Sequence, residues 1–377
     1  MKEYFFAIAI LVGTVVGAGI FGLPYVIAKA GVFAGLFLLV FAGGLVFLIK
    51  LLYGEVILRT RGQHRFVGYA KKYLGKKGEV VAAFSTIFGF FGSLLAYLIL
   101  GGFFLQTLLG EFFKEKELLC VLLFFFLGAV AILAGLKMVS ASEFLISGLL
   151  IFVVLILAVK SWPHARLVNF SFFDQRHLFL AYGVIFYSFL GSSALPEMRQ
   201  ILRGREKKFK SAIFWGLFIP AVIYAVFALL VIGVSGSATS PEAIAGLVPF
   251  LGSWVIKLGA FFGFLCVFSS FIILGLCLKT VFHLDFGFSK KISWFLVIAV
   301  PLALFLAGFQ NFVKVIGLVG IVMGGLEGIL IILIYKKADK TGDRRPEYDI
   351  VVPNLVIWFL IAVFAFGMIY QLYTMNG

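Results

Sequence analysis

The residue types that could do chemistry in this chain gather in two short segments of glycine, small hydroxyl side chains and proline. The first reads Gly13-Thr14-Val15-Val16-Gly17-Ala18-Gly19-Ile20-Phe21-Gly22-Leu23-Pro24, and the second Tyr187-Ser188-Phe189-Leu190-Gly191-Ser192-Ser193-Ala194-Leu195-Pro196-Glu197. Both sit inside long apolar stretches, where a helix is the expected conformation. Gly costs about 1 kcal/mol and Pro about 3 kcal/mol relative to Ala in a helix interior, so each segment is expected to interrupt its helix. An opened turn leaves N–H groups free at the start of one half-helix, which can hold a carboxylate. It leaves C=O groups free at the end of the other, which can hold an ammonium group or Na⁺. Together they offer both ends that a zwitterionic amino acid requires. Glycine in membrane helices also serves close packing; its recurrence at two matched places favours a binding site.

The elements that must position these segments are membrane-spanning helices. Of 377 residues, 63% are apolar and only 13% charged, with a mean hydropathy of +1.13. A soluble domain needs about 25% charged residues, so an all-α integral membrane protein is expected. Roughly 20 apolar residues cross the hydrocarbon core. Eleven stretches qualify, at about 4–28, 31–52, 80–109, 118–136, 144–159, 178–198, 211–234, 254–278, 292–307, 315–335 and 355–373. The two interrupted segments fall in the first and sixth, five apart. Inverted repeats that each begin with a discontinuous helix are a common plan of secondary carriers, with the substrate held at the breaks. One domain is expected, with repeat one over about 4–159, repeat two over about 178–335 and an extra helix over about 355–373.

Basic residues concentrate in the loops after the second, sixth and tenth spans: Arg59 to Lys77, Arg199 to Lys210 and Lys336 to Arg345. By the positive-inside rule these loops and the N-terminus are cytoplasmic and the C-terminus is outside, in a multi-pass cell-membrane protein. The formal charge of +15 is then a matter of orientation against an anionic leaflet and not of nucleic-acid binding. Residues 65–75 are expected to form a short amphipathic helix on the inner membrane surface.

The string Val16-Gly17-Ala18-Gly19-Ile20-Phe21-Gly22-Leu23-Pro24-Tyr25, closing with Lys29-Ala30-Gly31, resembles the first helix of amino acid permeases. It is most similar to the amino acid/auxin permease and hydroxy/aromatic amino acid permease branches of the APC superfamily. The stretch from Phe189 to Glu197 resembles their sixth helix, and the loop from Thr60 to Gly75 their first cytoplasmic loop. The resemblance implies a LeuT-type fold, a 5+5 inverted repeat with broken helices 1 and 6, here with an eleventh helix, working by alternating access. It implies carboxylate-binding amides on Gly17, Ala18, Gly19 and Ile20 and amine-binding carbonyls near Val15, Val16 and Phe189, with Gly191 and Ser192 in the second break. Tyr97 of the long third span and Phe264 of the eighth are candidate pocket residues. With Phe189 they favour a neutral apolar or aromatic substrate.

The same resemblance implies a Na⁺ site formed by the carbonyls of Gly13, Val16 and Cys266 and the hydroxyls of Ser269 and Ser270. Oxygen ligands suit a hard cation, although serines in helices often bond back to their own carbonyls. Proton coupling stays open as the alternative. Glu327 lies roughly eight residues inside the tenth span, about 12 Å deep at 1.5 Å per residue, and is the candidate proton carrier or gate. No charge is expected beside the breaks. The expected function is therefore Na⁺-driven symport of a neutral amino acid, with H⁺ symport or exchange as alternatives and no cofactor. A channel is disfavoured because neither charge rings nor a repeated filter is present. An enzyme is disfavoured because no acid, base, nucleophile or metal ligands converge. The three cysteines and four histidines lack ligand spacing, and the oligomeric state is open.

Overall fold

The computed structural model describes the whole chain except residues 114–115, 136–147, 150–151, 155, 158, 171–172, 285 and 376–377. Among the described residues it is helical, without a β-strand. In chain order the main helices are α1 (Lys2–Val15), α2 (Gly19–Ala30), α3 (Val32–Arg59), α4 (Phe66–Leu109), α5 (Glu117–Ala134), α6 (Leu178–Ser188), α7 (Ala194–Ile201), α8 (Phe209–Ser235), α9 (Val248–Leu284), α10 (Lys290–Leu306), α11 (Phe312–Leu318), α12 (Gly325–Thr341) and α13 (Asn354–Met375). A π-helical segment, Val319–Gly324, joins α11 to α12. Seven of the described helices are long and apolar enough to cross a bilayer unbroken, or eight when α1 and α2 count as one bent span. Half of the fifth expected span, 144–159, lies outside the described residues. The sixth is split between α6 and α7, and the ninth is the 17-residue α10.

Lipid solvation explains the surface. Phe37, Val40, Phe126, Trp254, Trp358 and Phe366 are all more than half exposed, a pattern that a water-facing protein avoids in contiguous patches. Glycine forms much of the inner helix contact. A Cβ at Gly320 would lie 2.0 Å from the Gly183 carbonyl, and one at Gly183 would lie 2.5 Å from the Gly317 carbonyl. The π segment and α6 therefore touch backbone to backbone, which is the small-residue packing expected of membrane helices.

Two features recur five spans apart. The first and sixth spans are broken, with α1 and α2 meeting at 59°. The third and eighth are each entered through a glycine kink, Gly75 (φ 69°, ψ −159°) within α4 and Gly252 (φ 78°, ψ 163°) within α9. The kink at Gly75 separates residues 66–74 from the long span, as the expected short surface helix requires. The broken spans cross in opposite senses: α1 packs on α7 and α2 packs on α6. This brings both breaks to the same depth. The third span, in α4, runs across the bundle against α5, α9, α10, α11 and α12.

Candidate functional site

The first break spans three residues. Val16 leaves the helical region at φ −78°, ψ 88°, and Gly17 N–H donates to the Val15 carbonyl at 3.0 Å, which tightens the turn. Among the described residues neither Ala18 nor Gly19 donates a backbone hydrogen bond to another carbonyl. These are the free amides expected at the start of a helix. The two glycines differ. A Cβ at Gly17 would meet nothing within 4 Å, whereas one at Gly19 would lie 2.4 Å from Ser188 Oγ and 2.8 Å from Ser188 Cα. Gly17 faces open space; Gly19 is a contact between the two broken spans. A larger side chain at Gly19 would therefore press on α6 at Ser188. Ile20 is fully buried in the next turn.

In the second break α6 ends at Ser188, with Phe189 N–H bonded to Phe186 O at 3.1 Å and Leu190 N–H to Tyr187 O at 3.0 Å. Gly191 follows at φ 131°, a conformation that L side chains rarely adopt. A Cβ there would sit 3.1 Å from Val15 Cγ2 and 3.3 Å from Thr14 Cγ2, so the breaks face each other directly. Ala194 N–H then bonds to Gly191 O and Leu195 N–H to Ser192 O, which starts α7. The Gly191, Ser192 and Ser193 amides donate no backbone bond among the described residues.

Tyr224 of α8 ties the breaks together, and sequence reasoning missed it. Its buried hydroxyl lies 2.8 Å from Val15 O and 2.9 Å from Ser188 O, the carbonyls of the last residues of α1 and α6. Nothing local to Phe-Ile-Pro-Ala-Val-Ile-Tyr marks this tyrosine, because its partners lie 209 and 36 residues away. The Val15 carbonyl expected to receive an amine thus already faces two donors, the Gly17 N–H and the Tyr224 hydroxyl.

Other expected pocket residues divide. Tyr97 comes to the sixth span, where it and Ser93 are partners of the Tyr187 hydroxyl. Phe189 is fully buried, edge-on to Tyr224 at 5.5 Å between centroids, and its ring tip abuts Gly43 of α3. Phe264 is stacked on Phe268 and edge-on to Phe124 of α5. Of the expected Na⁺ ligands, Ser269 donates to the Cys266 carbonyl at 2.9 Å, so two of the five engage each other along α9. Gly13 and Val16 come from the first span, whose α1 packs on α7 and α8. Ser270 is half-buried one residue on.

Charge does lie beside the second break, contrary to expectation. Lys50 of α3 is 1% exposed, and its Nζ has no hydrogen-bond partner among the described residues. With Glu327 of α12 and Ser192 it lines a cavity of about 20 Å³, closed further by Phe186, Phe189 and Leu190. The expected second span ends at residue 52, two residues after Lys50. The helix runs on to Arg59 and carries Lys50 into the bundle.

At the Arg59 end of α3 a second charged group works as a clasp. Arg59 Nε bonds to Glu55 Oε1 at 2.8 Å, and its NH2 group reaches Asp339 at 3.0 Å and Asp349 at 3.1 Å. Glu55 also accepts from Ile350 N–H at 2.9 Å, and Tyr348 donates to Leu51 O at 2.7 Å. The three carboxylates converge as metal ligands could, but Arg59 already supplies their cation. Nearby, Asp343 accepts from Lys72 and from Arg61 N–H, which holds its carboxyl below the usual range. Glu197 is exposed and makes no ion pair among the described residues, and Arg199 donates to the Thr60 and Gly62 carbonyls.

Comparison with known proteins agrees with this geometry. The tryptophan/tyrosine permease family matches residues 1–371. The chain is 24% identical to tyrosine-specific transport system 1 of Haemophilus influenzae, over 94% of this chain and 92% of that one. It is 22% identical to glutamine transporter 2 of Aliivibrio fischeri, over 93% and 91%. Its fold is similar to that of MhsT, solved in complex with L-phenylalanine, with a TM-score of 0.69, 97% of each chain covered and 18% identity. The fold is therefore of the LeuT type, with the broken first and sixth helices described above.

Proposed function

The chain belongs to the tryptophan/tyrosine permease family, a multi-pass membrane amino acid transporter and not an enzyme, and we propose that it carries neutral aromatic amino acids by alternating access. The observation that supports this reading is the pair of facing breaks. Free amides of Ala18 and Gly19 lie opposite the Gly191 turn, with Tyr224 holding both strands of the opening. A substrate carboxylate completes the amides at the start of α2. Its amine turns to the carbonyl ends at Val16 and Phe189, and Tyr97 stands by the sixth span for the side chain. The carbonyl of Val15 is shared with Tyr224, which narrows the amine site to its neighbours.

The coupling cation is proposed as Na⁺, at Gly13, Val16, Cys266, Ser269 and Ser270. In this reading Na⁺ displaces the Ser269 bond to the Cys266 carbonyl, and moving α1 toward α9 completes the shell. H⁺ is the second reading, favoured by the Lys50 and Glu327 side chains behind the second break. The N-terminus is proposed to be cytoplasmic and the C-terminus outside.

The test is uptake of labelled tyrosine, phenylalanine, tryptophan and glutamine into liposomes under separate Na⁺ and pH gradients. Accumulation of an aromatic amino acid, with Ser270→Ala weakening its Na⁺ dependence, is the expected result. Absence of both uptake and exchange across the panel would sink the carrier reading. An unchanged Na⁺ response in Ser270→Ala would remove the Na⁺ site.

A further inference from the structure

Lys50 and Glu327 pose a physical problem. A buried ammonium without a hydrogen bond is costly, and Lys50 Nζ is in that position among the described residues. Its counter-charge is Glu327, which shares the cavity and interacts with it electrostatically. The two do not close to an ion pair within 4 Å among the described residues. About 20 Å³ lies in the cavity, room for a single water. Ser192, a residue of the second break, is the other polar neighbour of the Glu327 carboxylate.

A second buried polar atom extends the group. Tyr53 lies one turn after Lys50 on α3, and its hydroxyl is also unpartnered. Tyr53 interacts electrostatically with Glu327 and with Tyr69, and its ring meets that of Tyr69 edge-on at 5.6 Å. Tyr69 in turn lines a cavity of about 360 Å³ with Arg61, Arg199, Arg203 and Arg344, on the side of the basic loops. The ionisable neighbours are thus Lys50 and Tyr53 from α3, Glu327 from α12 and Tyr69 from the start of α4. Helices α6 and α13 bring Phe186, Phe364 and Met368 to this region.

We propose that Lys50 and Glu327 form a proton-exchange site that reports to the second break through Ser192 and opens to the basic cavity through Tyr53 and Tyr69. The site holds one exchangeable proton. In one state Glu327 is a carboxylate opposite the Lys50 ammonium and accepts from the Ser192 hydroxyl. In the other an incoming proton bonds to a Glu327 oxygen, and the neutral acid no longer balances Lys50. The same proton leaves toward the cavity, where the Tyr53 hydroxyl accepts it and gives up its own to Tyr69 or to water. Loading the site changes what Ser192 can bond, and Ser192 is part of the turn that opens and closes around substrate. This assignment rests on the carrier reading above and deepens its proton alternative.

The experiment uses the full chain in liposomes with a lumenal pH dye and labelled tyrosine. Wild type is expected to acidify the lumen when tyrosine is added outside, and to accumulate label severalfold under an inside-alkaline gradient. Glu327→Gln and Lys50→Met are expected to lose both responses, with accumulation falling to an inside-to-outside ratio of one, while still exchanging labelled for unlabelled tyrosine. Tyr53→Phe, which keeps the ring and its packing, is expected to slow acidification several-fold and serves if the charge variants do not purify as monodisperse protein. Proton influx at the wild-type rate in Glu327→Gln, or in Tyr53→Phe where that variant stands in, overturns the proposal. Tyrosine exchange without any proton movement in wild type also overturns it and leaves the carrier reading standing. Loss of exchange in wild type strikes the carrier reading itself.

Discussion

Gly17 and Gly19 are two residues apart in a string where both look like backbone-binding positions, yet their surroundings assign them different work. Gly17 has open space where a side chain would go and no positive φ, so a larger residue is tolerated by the backbone and enters the opening. Gly19 is pressed on the Ser188 backbone. Gly17→Leu is therefore expected to weaken tyrosine binding by at least about 10-fold, or about 1.4 kcal/mol, with little change in the melting temperature of the purified protein. Gly19→Ala is expected to lower stability by about 1–3 kcal/mol, as overpacking does. Equilibrium binding and thermal unfolding in detergent, run on both variants, check the pair; a reversed pattern would mean that the open face belongs to Gly19. The glycine-rich string was legible as a break from composition alone. Which glycine faces the opening was not, because that depends on Ser188, 169 positions along the chain from Gly19.

At the scale of elements, breaks and kinks were the most readable features, since Gly and Pro act on their own helix through φ, ψ and a missing N–H. Tyr224 and Arg59 were not readable, since each acts on other segments. Arg59 reads in sequence as one more orienting charge of a basic loop. In the structure it is nearly buried and joins the end of α3 to α12 and to the segment leading into α13. Removing it leaves Glu55, which is fully buried, without its cation. Arg59→Ala is expected to cost about 3 kcal/mol, the low end for breaking a buried pair, because Asp339 and Asp349 are more than half exposed and partly screened by solvent. Thermal unfolding in detergent should show the drop, and Arg59→Lys should recover only part of it, since an ammonium lacks the planar fork that reaches three carboxylates. A melting temperature equal to wild type would leave the clasp without a structural role.

For the whole molecule, matched breaks in the first and sixth spans and matched kinks before the third and eighth describe one plan used twice. With the eleven crossings expected from the sequence, the proposed arrangement has the two termini on opposite faces. Lys2→Cys is expected to react with a membrane-impermeant maleimide only from the inner face of oriented vesicles, and Tyr373→Cys only from the outer. Labelling of both from one side would contradict an eleven-span arrangement. Hydropathy, span count and the Gly/Pro punctuation settled the membrane class, the broken helices and the repeat, because each is a property of one segment in its solvent. Tertiary structure alone decided which groups meet: Tyr224 with two helix ends, Lys50 with Glu327 behind Ser192, Phe264 with Phe124 of α5. Those pairings follow from how helices far apart in the chain rotate and pack. A local string carries the length and polarity of its helix but not the azimuth at which a distant neighbour presents its side chain.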